Sequence, residues 1–282
     1  MICRDSDDIP LFHKVLYMKT FYWLRMTLCY SLLSTGLIVS NCSAALVGIT
    51  VTVQNLAPAN GISFAPLRLG FGNGTFDSFN INQTAPASIV SIAEGGSGSD
   101  WFPAFAAAEP NSVRGTVGSS PLLPGVTASN SFLVDSAVNQ FFTFGSMVVP
   151  SNDLFIGNDN PAAFQLLNNA GNLLIPSILQ KGSQIWDANS EVADPLNAAF
   201  VVGGTNANRT PENGTVAFDF SELAVFNGVA TAGGYNYNHS LLSSGSDVYR
   251  ISFSLSSVPE PSSLLLSSVA IACIVLRRMR SR

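Results

Sequence analysis

Strand-like patterns dominate the central part of the chain, and the clearest ones stand at its two ends. In residues 47–53 valine and isoleucine alternate with glycine and threonine, and in residues 249–255 apolar side chains alternate with arginine and serine. A period of two puts successive side chains on opposite faces of a strand, so both segments are predicted to be half-buried strands. Further apolar segments, separated by glycine, proline, asparagine and aspartate, are predicted as strands at residues 67–71, 75–79, 126–134, 140–149, 173–179 and 216–220.

Helices are predicted only as short connections. Residues 87–94 form the first, ending at the Gly95-Gly96 pair, and residues 101–108 form the second, capped by Ser99 or Asp100. The sequence contains no long amphipathic helix pattern and no obvious internal repeat. Several short strands with one or two short connecting helices predict an all-β fold, a single antiparallel β-sandwich.

The N-terminal segment, residues 1–45, has the layout of a secretory signal peptide. Arg25 precedes a largely apolar stretch at residues 26–40, and the small residues at 43–45 follow, which is the charged, apolar and cleavable order of export signals. Acidic residues before Met18 fit such a signal poorly, so Met18 is a candidate for the true start. Lipid attachment at Cys42 is an alternative, disfavoured by the bulky residue before it.

The C-terminal segment, residues 258–282, combines Pro259-Glu260-Pro261, an uncharged apolar stretch at residues 262–276 and an arginine-rich end. As a helix the apolar stretch reaches about 22 Å, less than the roughly 30 Å of a hydrocarbon core, so it predicts a weak transmembrane anchor. Arginines beside an apolar span stay on the cytoplasmic side, which places the body of the protein across the membrane.

This order of elements resembles the PEP-CTERM sorting signal of bacteria, whose Pro-Glu-Pro is read by a membrane protease of the exosortase type. The resemblance implies that Pro259, Glu260 and Pro261 are the recognised residues and that such a protease is a partner. It also implies export to the bacterial envelope or beyond, after transient anchoring in the inner membrane by the C-terminal helix. An ordinary single-pass tail is the alternative.

The predicted body, residues 46–257, is long enough for one domain with a sizeable core. All four cysteines lie in the predicted targeting segments, so the body has no disulfide, no thiolate metal site and no cysteine nucleophile. The body carries five basic and fourteen acidic residues. Such an acidic surface repels phosphate backbones and excludes nucleic acid as a partner.

Two acid-rich clusters stand out in the body. Residues 150–160 contain Asp153 and Asp159, and residues 186–194 contain Asp187, Glu191 and Asp194. Each cluster adjoins apolar residues, which predicts that the acids lie at strand ends. Two acid-rich loops at one end of a sandwich suit Ca²⁺, which takes six to eight oxygen ligands. Zinc is excluded, because the body has no cysteine and a single histidine.

The same clusters carry a second resemblance. Residues 151–157 (SNDLFIG) and 187–191 (DANSE) resemble the spondin-domain strings Ser-x-Asp-x-Phe-(Ile/Val)-Gly and Asp-Ala-Gly-Thr-(Asp/Glu). Upstream strings at residues 51–58, 72–77 and 92–96 are similar to the family as well, so the resemblance covers about residues 49–220.

The spondin resemblance implies a C2-like antiparallel β-sandwich with one calcium site, and its acids match Asp153, Asp187 and Glu191. The chain departs from the family strings at Asn189 and Ser190, which replace Gly-Thr, and at residue 191, where Glu replaces the commoner Asp. Asparagine tolerates the left-handed conformation that glycine would supply, so the turn is expected to survive. Asp159 and Asp194 are second-choice candidates for metal ligands and are interpreted as surface acids.

Three functions remain open from the sequence. The first is an exported, non-enzymatic, spondin-like calcium-binding module in adhesion or exopolysaccharide association, with a glycan or a protein as its ligand. The second is a secreted polysaccharide hydrolase, which needs two carboxylates about 5–10 Å apart across a sugar-sized cleft. The third is a structural surface protein without a specific ligand, whose Asp and Asn side chains only form turns.

Overall fold

The computed structural model describes residues 46–256. The predicted signal peptide, the Pro-Glu-Pro signal and the predicted helix at residues 262–276 lie outside this range. No helix within residues 46–256 is long and apolar enough to cross a membrane. The strands are β1 (Leu46–Asn55), β2 (Ser63–Phe64), β3 (Leu67–Gly72), β4 (Val113–Val117), β5 (Thr127–Asp135), β6 (Phe141–Val149), β7 (Leu154–Gly157), β8 (Ser177–Lys181), β9 (Trp186–Asp187), β10 (Ala217–Phe218) and β11 (Asp247–Ser256). The helices are α1 (Ala87–Gly95) and α2 (Trp101–Ala108), and four 3₁₀ turns lie at Gly182–Gln184, Asn206–Asn208, Ser221–Phe226 and His239–Leu241.

The strands form two antiparallel sheets. The first sheet has the order β5-β1-β11-β8, and the second has the order β10-β9-β7-β6-β3-β4, with β2 paired to β6. Every strand pair in the described range is antiparallel. The predicted all-β sandwich with two short helices is therefore confirmed.

The core between the sheets follows from the alternation seen in the sequence. Ile49, Val51 and Val53 of β1 are buried, while the threonines between them are only half-buried. The same alternation buries Ile251 and Phe253 in β11. Phe253 meets Phe142 of the second sheet edge to face, with ring centroids 4.9 Å apart. Such an aromatic pair contributes about 0.5–1.5 kcal/mol beyond its buried area, so it helps to hold the two sheets together.

The two helices cover the outer face of the second sheet. Ile89 and Ile92 of α1 and Trp101 and Phe105 of α2 pack in one buried cluster with Phe155 of β7. A Cβ added to Gly70 of β3 would overlap the ring of Phe105, so glycine permits this close approach. Because this sheet is covered on both faces, β6 and β7 are buried at almost every position and not at alternate ones.

The positions of the helix ends agree with the sequence pattern, but the predicted side-chain cap of α2 is not formed. Gly96 lies at the C-terminus of α1 with a φ of 62°, in the left-handed conformation, and donates its N–H to the carbonyl of Ile92. Asp100 occupies the N-cap position of α2, but its side chain makes no capping hydrogen bond there. The stability of α2 therefore depends on burial of Trp101 and Phe105.

The predicted strand at residues 75–79 is wrong, and its backbone shows why. The carboxylate of Glu109 accepts hydrogen bonds from the backbone N–H groups of Asn73 (2.5 Å), Thr75 (2.7 Å) and Phe76 (2.6 Å). These donors are consumed by one buried side chain, so they are not available to a strand ladder. An acid more than thirty residues away in sequence thus converts an apolar segment into a folded loop.

Other strand boundaries also differ from the prediction. The predicted strand at residues 173–179 is displaced, because β8 begins only after Pro176, which lacks the N–H a ladder needs. The predicted segment at residues 216–220 shortens to the two residues of β10. The short strands β4 and β7 were not predicted, since neither has room for a recognisable alternation.

The long axis of the sandwich has two distinct ends. One, the terminal end, holds Leu46, Asp135 and Ser256, because Leu46 pairs with Asp135 and Gly48 pairs with Ser256. The other end is called the carboxylate end, because Asp153 lies there. At this end the Asn55 side chain donates to the carbonyl of Ile62, and the next residue, Ser63, pairs with Val149, four residues before Asp153. Ten residues of β1 span about 30 Å between these two ends.

Candidate metal centre

Three carboxylates meet at the carboxylate end of the sandwich. Asp153, Asp187 and Glu222 each offer an oxygen that lies within 4.8 Å of the other two. Asp153 directly precedes β7, and Asp187 lies in β9 opposite Leu154. Glu222 lies in the 3₁₀ turn that follows β10, whose Ala217 pairs with Asp187. Pairing of β7, β9 and β10 therefore brings the three acids together.

Asp153 is fully buried and only one of its oxygens is satisfied. Its Oδ2 accepts hydrogen bonds from the backbone N–H groups of Ser190 (2.7 Å) and Glu191 (3.1 Å) and from Ser190 Oγ (3.0 Å). Its Oδ1 is buried without a hydrogen-bond partner in the described part of the chain. An unpaired buried acceptor costs about 1–3 kcal/mol, so Oδ1 is free to bind a donor or a cation.

The loop after Asp187 supplies the donors that hold Asp153. Asn189 has a φ of 48°, the left-handed conformation expected from its replacement of glycine. Its backbone N–H donates to Asp187 Oδ1 (2.7 Å), and its side chain donates to the carbonyl of Thr215 (2.9 Å). The turn at Asn189 thus aims the next two N–H groups at Asp153.

Glu222 is held by its own turn. Asp219 Oδ1 accepts hydrogen bonds from the backbone N–H groups of Ser221 (2.7 Å) and Glu222 (3.2 Å). Glu222 Oε1 is buried and has no partner among residues 46–256. The cluster therefore contains two carboxylate oxygens, Oδ1 of Asp153 and Oε1 of Glu222, with unused acceptor capacity.

Burial and mutual repulsion disfavour ionisation of this cluster. Burial, followed by the charge of Asp187, raises the pKa of Asp153 to about 7. Burial, followed by the charges of Asp187 and Asp153, raises the pKa of Glu222 to about 10. The pKa of Asp187 is also raised, mainly by burial. Without a cation, protonation of this cluster is therefore favoured, and a bound metal ion would have to displace protons.

Glu191, the third ligand predicted from the sequence, lies outside this cluster. Its Oε1 accepts a hydrogen bond from Asn152 Nδ2 (2.9 Å), and its Oε2 lies 3.8 Å from Arg209 Nε. Glu191 is fully buried, and the guanidinium of Arg209 supplies the positive charge beside it. The structure brings Asp153 and Asp187 together and places Glu222, not Glu191, with them.

Asp159 and Asp194, the second-choice candidates, also lie apart from the cluster. Asp194 Oδ1 accepts a hydrogen bond from the backbone N–H of Leu196 (2.9 Å), so it orders its own loop. Asp159 is half-buried and does not belong to the group of converging acids. Glu222 was missed because it lies 31 residues beyond Glu191 in a segment without a recognised motif. The one available signal was its position, two residues after the predicted strand at 216–220.

The donor set of the cluster has a clear chemical preference. Three carboxylates provide oxygen ligands only, which suits a hard cation such as Ca²⁺. His239, the single histidine of the body, contacts Tyr237 through its Nδ1 (3.2 Å between Nδ1 and the hydroxyl oxygen) and does not belong to this group. The residues present therefore fit calcium and do not fit zinc.

Comparison with known proteins identifies the C-terminal segment. The family model of the PEP-CTERM protein-sorting motif matches residues 257–280. Among curated proteins, none matches the chain significantly. The matched range includes Pro259, Glu260 and Pro261, so the sorting signal predicted from the sequence is confirmed. The chain carries a PEP-CTERM sorting signal, which marks an exported, envelope-associated protein that exosortase, a membrane protease, processes.

Proposed function

We propose that residues 46–256 form a non-enzymatic, spondin-like module that binds calcium and acts in adhesion or in association with exopolysaccharide outside the cell. One observation carries the proposal: the oxygens of Asp153, Asp187 and Glu222 converge within 4.8 Å. Two of the buried oxygens in this group have no hydrogen-bond partner within the described range. A cation would satisfy both at once.

Electrostatics explains why a divalent ion suits this group. Two ionised carboxylates within 4.8 Å of each other would repel by about 3 kcal/mol or more at an effective dielectric constant near 20, which favours protonation while no cation is bound. A bound Ca²⁺ replaces this repulsion with attraction to each acid. Calcium also tolerates irregular geometry and high coordination numbers better than Mg²⁺ does. Modules outside the cell commonly bind it with dissociation constants of about 10⁻⁴–10⁻³ M.

The spondin resemblance supports the same site. Its first string places Asp153 directly before β7, and its second places Asp187 in β9 with the Asn189 turn behind it. This chain departs from the family expectation at the third acid. Glu191 is neutralised internally by Arg209, and Glu222 provides the third carboxylate.

The hydrolase alternative receives no support from this geometry. A glycosidase needs its two carboxylates to face each other across a groove that admits a sugar and water. Asp153 is fully buried and Asp187 is almost so, which leaves no space for a sugar ring between them. We therefore propose a binding function and not a catalytic one.

Calorimetric titration with CaCl₂ tests the proposal directly. The purified protein is expected to bind one Ca²⁺ with a dissociation constant of about 10⁻⁴–10⁻³ M and to release protons as it binds. Asp187→Asn should remove the binding heat, because Asp187 faces both other acids. Asp159→Asn is the matched control and should bind as the parent protein does. Absence of saturable calcium binding by the parent protein would refute the proposal and leave a structural role.

A further inference from the structure

A cleft of about 650 Å³ lies beside the candidate metal centre. Its walls are α1, the segment that follows α1, and the loops at residues 188–190 and 206–214. Ser190 belongs to both places: it lines the cleft, and it holds Asp153 through its N–H and its hydroxyl. The volume falls in the range of about 300–1,000 Å³ that is typical of ligand pockets.

Eight of the eighteen residues that line this cleft carry hydroxyl or amide side chains, and most of the others are small or apolar. Representative polar members are Thr84, Ser91, Ser99, Ser190, Asn206 and Asn213. No aromatic side chain is among the described residues that line it. Asn206 Oδ1 is buried without a hydrogen-bond partner in residues 46–256. A buried acceptor without a partner is uncommon, so a ligand that donates hydrogen bonds would complete this wall.

The charged side chains in and beside the cleft sum to a net negative charge. The guanidinium of Arg209 hydrogen-bonds to the buried carboxylate of Glu94, donates to the carbonyl of Ser190 (3.1 Å) and lies 3.8 Å from Glu191 Oε2. Two carboxylates therefore neutralise its single positive charge, and Asp100 adds a further negative one. The cleft has no spare positive charge for phosphate, sulfate or an acidic sugar.

We propose that this cleft binds a short segment of an uncharged glycan. Sugar hydroxyls both donate and accept hydrogen bonds, which matches the serine, threonine and asparagine side chains in its wall. The inference names the ligand class of the adhesion or matrix function proposed above and rests on it. A protein ligand would be favoured by large aromatic anchors, which the described lining does not provide.

Ser190 links the cleft to the metal centre. Its Oγ lies 3.0 Å from Asp153 Oδ2 and also 3.0 Å from Glu94 Oε1. Calcium bound by Asp153 would fix the loop at residues 188–190, which is one wall of the cleft. Glycan affinity is therefore expected to rise about fivefold or more when calcium is bound, and calcium affinity to rise by the same factor when glycan is bound.

The test uses the purified full chain and short oligomers of glucose, galactose, mannose and N-acetylglucosamine, with oligogalacturonate as the acidic comparison. Binding is measured by calorimetry and saturation-transfer NMR in excess calcium and in EDTA. Ser91→Tyr fills the cleft from α1 and should weaken binding about tenfold or more, a difference of about 1.4 kcal/mol. The matched control is Ser129→Tyr in a separate polar depression that Thr116 and Asn130 also line, and it should leave binding unchanged.

Each outcome separates this inference from the calcium proposal. Binding of a neutral oligomer that Ser91→Tyr weakens and Ser129→Tyr does not supports the cleft. Calcium binding without binding of any neutral oligomer would overturn the glycan inference and leave the calcium function intact. Glycan binding without any calcium binding would support the cleft and overturn the calcium function. Preference for oligogalacturonate would refute the charge argument.

If Ser91→Tyr does not fold, Asn206→Ala removes the unpaired acceptor without adding bulk, and unchanged affinity in that variant would count against the cleft.

Discussion

Glu222→Gln separates the role of this side chain in metal binding from its role in the fold. The raised pKa of Glu222, about 10, means that the calcium-free protein holds this group protonated at neutral pH. Glutamine has nearly the same shape and retains a donor toward Asp187, with which Glu222 forms a hydrogen bond. In EDTA the substitution is therefore expected to change the free energy of unfolding by less than about 1 kcal/mol.

Added calcium should stabilise the parent protein more than the Glu222→Gln variant. At a free Ca²⁺ concentration one hundred times the dissociation constant, the parent protein gains about 2.7 kcal/mol of stability. Loss of one carboxylate ligand that weakens affinity by about 10–100-fold reduces this gain to about 0.4–1.4 kcal/mol at the same concentration. For a domain of this size each kcal/mol shifts the melting temperature by about 2–4 °C, so the parent should gain about 5–10 °C and the variant clearly less.

The assay is thermal unfolding followed by circular dichroism in EDTA, in CaCl₂ and in MgCl₂ at equal ionic strength. Asp159→Asn, outside the cluster, is the control and should respond to calcium as the parent does. Two results would refute the reasoning. One is a calcium response of Glu222→Gln equal to that of the parent, and the other is an equal loss of stability in EDTA and in calcium, which would mean a structural role only.

Three further predictions follow from the same structure. Because burial raises the folded-state pKa of Asp153 to about 7, the calcium-free protein should lose stability as the pH rises from about 4 to 7. The stability gained on adding calcium should increase over the same interval, because calcium displaces fewer protons as the pH rises. Urea unfolding at several pH values measures both trends, and a calcium-free stability that rises with pH would contradict the raised pKa of Asp153. Glu109→Gln should lower the free energy of unfolding by about 2 kcal/mol, because the backbone N–H groups of the loop after β3 lose a charged acceptor, and an unchanged urea midpoint would argue against that role. Replacing Pro259 and Pro261 by alanine should leave the protein unprocessed in the membrane fraction, whereas normal release would discredit exosortase recognition of this signal.

Local patterns predicted those parts of the fold that depend on local physics. The alternation of apolar and polar residues in β1 and β11 was recognisable in the sequence because one face of each strand is buried and the other is more exposed. The left-handed Asn189 was predictable for a similar reason, since the requirement lies within one residue. The helices were equally clear, because Gly96 ends α1 and aromatic residues fill α2.

Long-range contacts decided what the sequence did not reveal. The segment at residues 75–79 has strand-like composition, but Glu109 takes its backbone donors from more than thirty residues away. The sequence predicted Glu191 as a metal ligand, but in the fold Arg209 lies beside its carboxylate. Glu222 joined the cluster only because β10 pairs with β9, a contact that no local pattern encodes.

The position of β11 sets how this protein would carry mechanical load. The sorting signal at residues 257–280 directly follows β11, which lies between β1 and β8 in the first sheet. A pull between the C-terminal end of β11 and the carboxylate end would act along the strand axis. The inter-strand hydrogen bonds run across this axis, so the register of β11 with β1, from Gly48 opposite Ser256 to Asn55 opposite Tyr249, would be loaded in shear. Bonds loaded in shear share the force and do not open one after another, so the first sheet is built to resist extension along β11.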